Sequence, residues 1–133
     1  MPLDPVNPGS LAPPVGFSHG MRGSGEWLLV AGQIGWDGEA RLVSTDFVAQ
    51  FAQALDNTLA VVREAGGGPG SIARMVLYVT SKDEYARRRE EVGGAYRERM
   101  QRHYPAMTLI EVKGLLEQGA LIEIEAVAML PAR

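Results

Sequence analysis

Alternating apolar and polar positions near the end of the chain predict a long strand over residues 121–130. One set of alternate positions is wholly apolar and comprises Ile122, Ile124, Ala126, Ala128 and Leu130. The other set carries Glu123 and Glu125 among apolar residues. Successive side chains of a strand point to opposite faces of the sheet. We therefore expect one face to pack against helices and the other to hold two carboxylates on an otherwise apolar surface.

Apolar residues spaced by three or four positions predict two helices. The first begins after the capping residues 44–46 and runs to about residue 65, where a glycine-rich stretch ends it. Its buried stripe is Phe47, Phe51, Leu55, Leu59 and Val62, and the polar residues outside this stripe are Gln50, Gln53, Asp56 and Arg63. The second begins after Ser81, which forms a capping-box pattern with Glu84, and runs to about residue 102. Its inward residues are predicted to be Tyr85, Val92, Tyr96 and Met100.

Four further segments read as strands. Residues 17–21 and 27–34 flank a short glycine-rich, polar stretch and are predicted to pair as a hairpin. Residues 72–80 and 106–112 are rich in β-branched and apolar side chains. The predicted order is β-β-α-β-α-β-β, an α+β fold with one sheet covered on one face by two helices. The proline-rich residues 1–15 are expected to form an extended arm, and residues 16–133 a single domain.

The predicted sheet has more apolar surface than two helices can cover. Residues 28–31 are apolar at consecutive positions, so both faces of that strand are expected to be buried. Two helices on one side leave the second face open to water. Burial against another copy of the chain would cover it, and we therefore expect an obligate homo-oligomer.

Composition narrows the possible chemistry. The chain has 133 residues, of which 46% are hydrophobic and 22% charged, and its net charge is −3. It contains no cysteine and two histidines, which excludes disulfides, a thiolate nucleophile and cysteine-ligated metals. The acidic balance argues against a nucleic-acid partner. No signal peptide or membrane span is recognisable, so a soluble cytoplasmic protein without a membrane partner is expected.

Five short segments together resemble the RidA/YjgF family, also labelled endoribonuclease L-PSP or reactive-intermediate deaminase. In chain order they are Gly16-Phe17-Ser18-His19, Val30-Ala31-Gly32-Gln33-Ile34, Gln53-Ala54-Leu55-Asp56-Asn57, Tyr104-Pro105-Ala106 with Glu111-Val112, and Ile122-Glu123-Ile124-Glu125-Ala126. Each motif is weak alone, but all five occur in the family's order and span about residues 16–130.

The resemblance implies a chorismate-mutase-like α+β fold with a mixed sheet, assembled as a homotrimer whose sheets pack into a central barrel. It also implies clefts between subunits that bind small molecules. The family's best-known activity is the hydrolysis of 2-aminoacrylate and related enamine or imine acids to 2-keto acids and ammonia. No metal or organic cofactor is implied.

Three positions depart from the family pattern. Met107 stands where the family has the arginine that grips the substrate carboxylate, and methionine offers neither charge nor a strong donor. Phe17 replaces a tyrosine, and Gly93 replaces an asparagine often found before the helix tyrosine. Arg102 is near in sequence but precedes the strand. We therefore expect a more apolar cleft and an altered substrate range.

The resemblance makes Glu123 the catalytic candidate, because it aligns with the glutamate that orients or activates water. From spacing alone, a solvated or ion-paired glutamate is favoured, and Glu125 is expected to be structural. The candidate substrate-binding residues are Phe17, Ser18, His19, Gly32 and Met107. His19 is equally compatible with an exposed or core histidine, and Gly32 with close packing. Trp36 and Tyr104 are better explained by packing than by a cleft.

Two function classes remain open from the sequence. The first is an enamine or imine deaminase that hydrolyses a C=N bond with Glu123 directing water. The second is a non-catalytic metabolite-binding or regulatory trimer, favoured by the loss of three polar contacts. A ribonuclease is implied only by the family's older label, and the acidic charge disfavours it.

Overall fold

The computed structural model describes residues 3–133 and contains six strands and three α-helices within that range. They are β1 (Asp4–Val6), β2 (Gly20–Arg22), β3 (Glu26–Ile34), α1 (Phe47–Glu64), β4 (Ile72–Val79), α2 (Lys82–Arg87), α3 (Arg89–Met100), β5 (Ala106–Glu111) and β6 (Ile122–Leu130). A single turn of 3₁₀ helix (Pro69–Ser71) leads into β4. Over residues 3–133, no helix combines the length and the apolar character needed to cross a membrane.

The main sheet has four strands in the order β3-β6-β4-β5. β4 and β5 run parallel, and the other neighbours are antiparallel. The sheet is therefore mixed, and together with the helices it forms an α+β fold as predicted. β6 lies in the interior of the sheet, and its predicted inner face is confirmed. The buried residues of that face are Ile122, Ile124, Ala126, Ala128 and Leu130.

Helices cover one face of this sheet. α1 begins where Asp46 accepts a hydrogen bond from the backbone N–H of Ala49 at 3.0 Å, which satisfies one of the free donors of the first turn. The predicted apolar stripe of α1 is buried, as are Val92, Tyr96 and Met100 of α3. α1 is further fixed by Asn57, whose Nδ2 donates to the carbonyls of Ile34 and Trp36 at the end of β3.

The interpretation of Gln50 as a residue outside the buried stripe is wrong, because its side chain is fully buried. Its Nε2 donates to the carbonyls of Ser44 and Gly119, and its Oε1 accepts from the N–H of Leu121. A buried amide is tolerated when all its polar atoms are paired. Gln50 therefore ties α1 to the segment that leads into β6.

The predicted hairpin between residues 17–21 and 27–34 is also wrong. β2 pairs with β1 in a separate two-stranded antiparallel sheet, with Pro5 opposite Met21. Ser18, just before β2, forms an isolated parallel bridge to Ala106 of β5. The polar residues after β2 thus connect two sheets, because β3 finds its partner in β6 and leaves β2 to pair with the arm.

The predicted second helix is divided at Arg88, whose backbone (φ −102°, ψ 17°) leaves the helical region between α2 and α3. The Arg88 guanidinium donates to Glu84, Glu91 and Asp46. The carboxylates of Glu91 and Asp46 raise the pKa of Arg88, and the arginine in turn lowers the pKa of Glu91. The change of direction lets one arginine connect both short helices to the start of α1.

The second face of the main sheet is uncovered within the chain. We call this surface the open sheet face, and it comprises Trp27, Leu29, Tyr78, Glu123, Glu125, Val127 and Met129. Trp27 is 67% exposed and Leu29 72% exposed. Burial of residues 28–31 on both faces therefore does not occur inside one chain, because all of the helices that contact the sheet pack on the other side.

Candidate functional site

A cavity of about 730 Å³ opens between the edge strand β5 and helix α3. We call it the edge pocket. Its walls include Phe17, Gly93 and Met107, which are the three positions expected to shape a more apolar cleft. Met107 lies opposite Met75, a core residue of β4, and packs against the helix-covered side of the sheet. The structure thus brings together two predicted substrate-binding residues, Phe17 and Met107.

Two stacked tyrosines form one wall of the edge pocket. The rings of Tyr96 and Tyr104 lie nearly parallel, with centroids 5.4 Å apart and an angle of 12° between planes. The Tyr96 hydroxyl donates to the His103 carbonyl at 2.6 Å, and burial raises the pKa of Tyr96. Tyr104, assigned to packing from the sequence, packs and also lines the cavity. Tyr96 supplies a rigid aromatic wall and remains protonated near neutral pH.

Ser18 and His19 make structural contacts beside the pocket. Ser18 is buried, and its hydroxyl donates to the Tyr104 carbonyl at 2.6 Å. His19 is exposed, and its Nε2 lies 2.8 Å from the carbonyl of Ala12 in the arm. Its backbone N–H donates to Asn7. These contacts position the loop that carries Phe17, and neither polar side chain is among the residues that line the cavity.

Glu123 and Gly32 form a second group, on the open sheet face. The Glu123 side chain lies directly against Gly32: a Cβ at position 32 would overlap Oε2 and lie 2.8 Å from Cδ. A side chain at position 32 would therefore displace the carboxylate. Glu123 is half-buried and projects from β6 opposite Tyr78 of β4. The absence of a Cβ on Gly32 is what lets the carboxylate adopt this position.

Glu125 has a different environment on the same face. It accepts a hydrogen bond from the Tyr78 hydroxyl, and this bond is the main cause of the raised pKa of Tyr78. The carboxylate of Glu125 is thereby engaged by a neighbouring strand, whereas no such side-chain bond to Glu123 is found over residues 3–133. Of the two carboxylates, Glu123 is the one available to a ligand or a water molecule.

The single chain thus separates the predicted site into two groups. Phe17 and Met107 belong to the edge pocket, and Gly32 and Glu123 to the open sheet face. The two groups lie on opposite sides of the sheet. Met107 packs on the helix-covered side, whereas Glu123 alternates along β6 with the buried residues and therefore belongs to the open sheet face.

Similar proteins were found for both sequence and fold. The family model "Endoribonuclease L-PSP" matches residues 9–130. The chain belongs to this family. The resemblance to RidA/YjgF proteins, based on five short motifs, is confirmed.

Named relatives of the endoribonuclease L-PSP family add detail. A "2-iminobutanoate/2-iminopropanoate deaminase" of Salmonella typhimurium is 32% identical over 108 residues, which cover 79% of this chain and 80% of the relative. A RutC family protein of Pasteurella multocida is 32% identical over 105 residues, with coverage of 79% and 81%. The crystal structure of YyfB, a Rid family protein of unknown function from Yersinia pestis, superposes with a TM-score of 0.86 at 35% identity, covering 98% of this chain and all of that one.

Sequence reasoning missed Arg89 and Arg97, two arginines of α3 that line the edge pocket. The charged run over residues 87–91 is predicted to form a solvated face, and its residues are exposed except Arg88, which is partly buried. Arg89 is exposed and also lines the edge pocket. Arg97 follows Gly93 by four positions, so the two lie on the same face of a helix. That spacing, together with the loss of a side chain at position 93, was the available signal.

Proposed function

We propose that the chain is a hydrolase of enamines or imines whose substrate range differs from that of its deaminase-named relatives. The observation that carries the proposal is the Glu123 carboxylate, half-buried and seated against Gly32 on a largely apolar face. A carboxylate held in a fixed position beside a ligand can accept and return protons as a general base and acid. Membership of the endoribonuclease L-PSP family, with relatives named for imine deamination, supports the same chemistry.

The reaction needs a positioned water and a group that moves protons from oxygen to nitrogen, once as water adds and once as ammonia leaves. Glu123 accepts a proton from water as the water oxygen adds to the C=N carbon, and the imine nitrogen is protonated. The hydroxyl proton of the tetrahedral carbinolamine is then transferred to its amino group, and ammonia leaves as the C=O bond forms. An enamine substrate first takes a proton at carbon to become the imine. This sequence requires neither an oxidant nor a metal, and one carboxyl group can relay each proton.

A homotrimer would join the two groups of site residues. Trp27 and Leu29 are large, apolar and exposed on the open sheet face, which favours burial against another copy. Packing of three such faces into a barrel would bring Glu123 and Gly32 of one copy toward the edge pocket of the next. The proposed cleft is therefore intersubunit, with the apolar wall and the catalytic carboxylate supplied by different chains. A cytoplasmic location remains a prediction from the sequence.

The altered substrate range follows from the apolar residues that line the edge pocket. An arginine–carboxylate hydrogen bond typically stabilises a complex by about 1.5–3 kcal/mol. With Met107 in place of the family's arginine, β5 offers no such hydrogen bond to a substrate carboxylate. With Phe17 in place of tyrosine, the loop before β2 offers no hydroxyl. Short 2-imino acids depend on the lost contacts, since they have little apolar surface to bury. Substrates with a larger apolar body are expected to bind instead.

The test uses imines generated in solution from amino acids by an L-amino-acid oxidase, with imine decay and ammonia release followed together. We expect the imines of leucine or phenylalanine to decay faster with the protein, and those of alanine or 2-aminobutyrate to decay at nearly the spontaneous rate. Glu123→Gln should abolish the acceleration. Glu117→Gln, at an exposed position away from both groups, is the matched control.

Fast hydrolysis of the short imines, abolished by Glu123→Gln, would contradict the altered range. A folded protein that accelerates no imine would favour the second candidate, a non-catalytic metabolite-binding or regulatory trimer. The specific observation behind that candidate is the apolar character of the edge pocket at Phe17, Gly93 and Met107. Product formation separates the two functions.

A further inference from the structure

Arg97 places a guanidinium group over Gly93 at the edge pocket. The nearest atom to a Cβ built on Gly93 is Nη1 of Arg97, at 3.1 Å. The space that a side chain at position 93 would use is therefore occupied by the arginine from the next turn of α3. A larger residue at position 93 would force the guanidinium away from this position.

Arg97, like Arg89, has no carboxylate partner over residues 3–133, whereas Arg88 and Arg99 of the same region are paired. Arg88 pairs with Asp46 and Glu91, and Arg99 binds Asp56 with Nε to Oδ1 at 2.7 Å. The donors of Arg97 are consequently free for a ligand. A guanidinium presents them in a planar fork that matches a carboxylate.

The remaining walls of the pocket define the rest of the ligand. Phe17, Tyr104 and Met107 are apolar or aromatic, and the cavity of about 730 Å³ has the size of pockets that hold drug-sized molecules. Arg89 and Glu90 also line it and contribute opposite charges. Arg97 therefore leaves the pocket with an excess of positive charge beside a large apolar surface.

We propose that Arg97 is a substrate-binding residue that holds the carboxylate of a ligand with an aromatic or long aliphatic body. Arg97, on α3, would bind the substrate carboxylate, which Met107, on β5, cannot do. The inference rests on the proposed function for the identity of the site. It adds that the ligand is an organic anion, with its anionic group held at the Gly93 turn of α3 and its apolar body against the aromatic wall.

The test is calorimetric titration with two stable probes of the same shape, 3-phenylpropanoate and 3-phenylpropanamide. Wild-type protein is expected to bind the acid about 10- to 100-fold more tightly than the amide, because only the acid forms a charge-assisted pair with Arg97. Arg97→Gln should remove this preference and leave the affinity for the amide unchanged. Arg102→Gln is the matched control, since Arg102 is exposed and does not line the pocket.

Gly93→Asn provides a second, independent variant. Its side chain should displace the guanidinium and reduce the affinity for the acid in the same way, with circular dichroism and oligomeric state confirming that the protein is folded. Equal affinity of wild type for acid and amide, no binding of the acid, or unchanged binding by folded Arg97→Gln would overturn the proposal.

Different results would refute the proposed hydrolase function and the proposed role of Arg97. Binding of the acid requires no turnover, so it can be measured independently of imine hydrolysis. Acid-selective binding without hydrolysis of any imine would refute the catalytic function and leave Arg97 as the anion-binding residue. Hydrolysis of imines by Arg97→Gln at the wild-type kcat/KM would refute the role of Arg97 and leave the catalytic function intact.

Discussion

Replacing Gly32 with alanine tests whether the position of the Glu123 carboxylate matters. The added methyl group would overlap Oε2 and lie 2.8 Å from Cδ, whereas ordinary contact begins at 3.4 Å. The carboxyl carbon must therefore withdraw by ~0.6 Å, and the oxygen by more. Because Glu123 is the end of a flexible side chain, the fold should accommodate this shift. Catalysis should not, since a displacement of about 1 Å can reduce a rate by roughly 100-fold.

We expect Gly32→Ala to lower kcat/KM for imine hydrolysis by one to two orders of magnitude, with little change in the melting temperature. The assay is ammonia release from the imine of phenylalanine or leucine. Gly38→Ala is the matched control, because nothing lies within 4 Å of a Cβ at that position. Full activity of folded Gly32→Ala would refute this reasoning.

Three further predictions concern assembly and stability. Trp27→Glu should dissociate the proposed homotrimer in analytical ultracentrifugation, while Leu116→Glu, at a fully exposed loop position, should not; a monomeric wild type would disprove the proposed interface between copies. Gln50→Ala should lower the free energy of unfolding by roughly 3 kcal/mol, because three backbone groups lose their hydrogen bonds to the buried amide; urea unfolding that matches wild type would show that these bonds contribute little. Asp46→Ala should cost about 1 kcal/mol at neutral pH through loss of the helix cap. The cap and Arg88 lower the pKa of Asp46, so its contribution is present above the unfolded value of about 3.9 and is lost as pH falls through the folded value. The difference between wild type and Asp46→Ala should therefore shrink in acid, and a constant difference from pH 7 to pH 2 would contradict the assignment.

Local pattern alone was sufficient for the elements with strong periodicity. The stripe of α1 and the buried face of β6 depend on side-chain spacing along one element, and both were predicted residue by residue. Pattern failed where a residue's role depends on another part of the chain. Gln50 is polar and lies beside the stripe, yet its amide is buried because backbone groups of Ser44, Gly119 and Leu121 converge on it.

The sequence by itself determined the α+β class, the boundaries of most elements, the family, and the three departures at Phe17, Gly93 and Met107. These are properties of single positions and their near neighbours. Only the tertiary structure showed that β2 pairs with β1, that Glu123 and Met107 lie on opposite sides of the sheet, and that Arg97 fills the space over Gly93. The physical reason is that strand pairing and side-chain packing are set by contacts between segments far apart in the chain, which local periodicity does not encode.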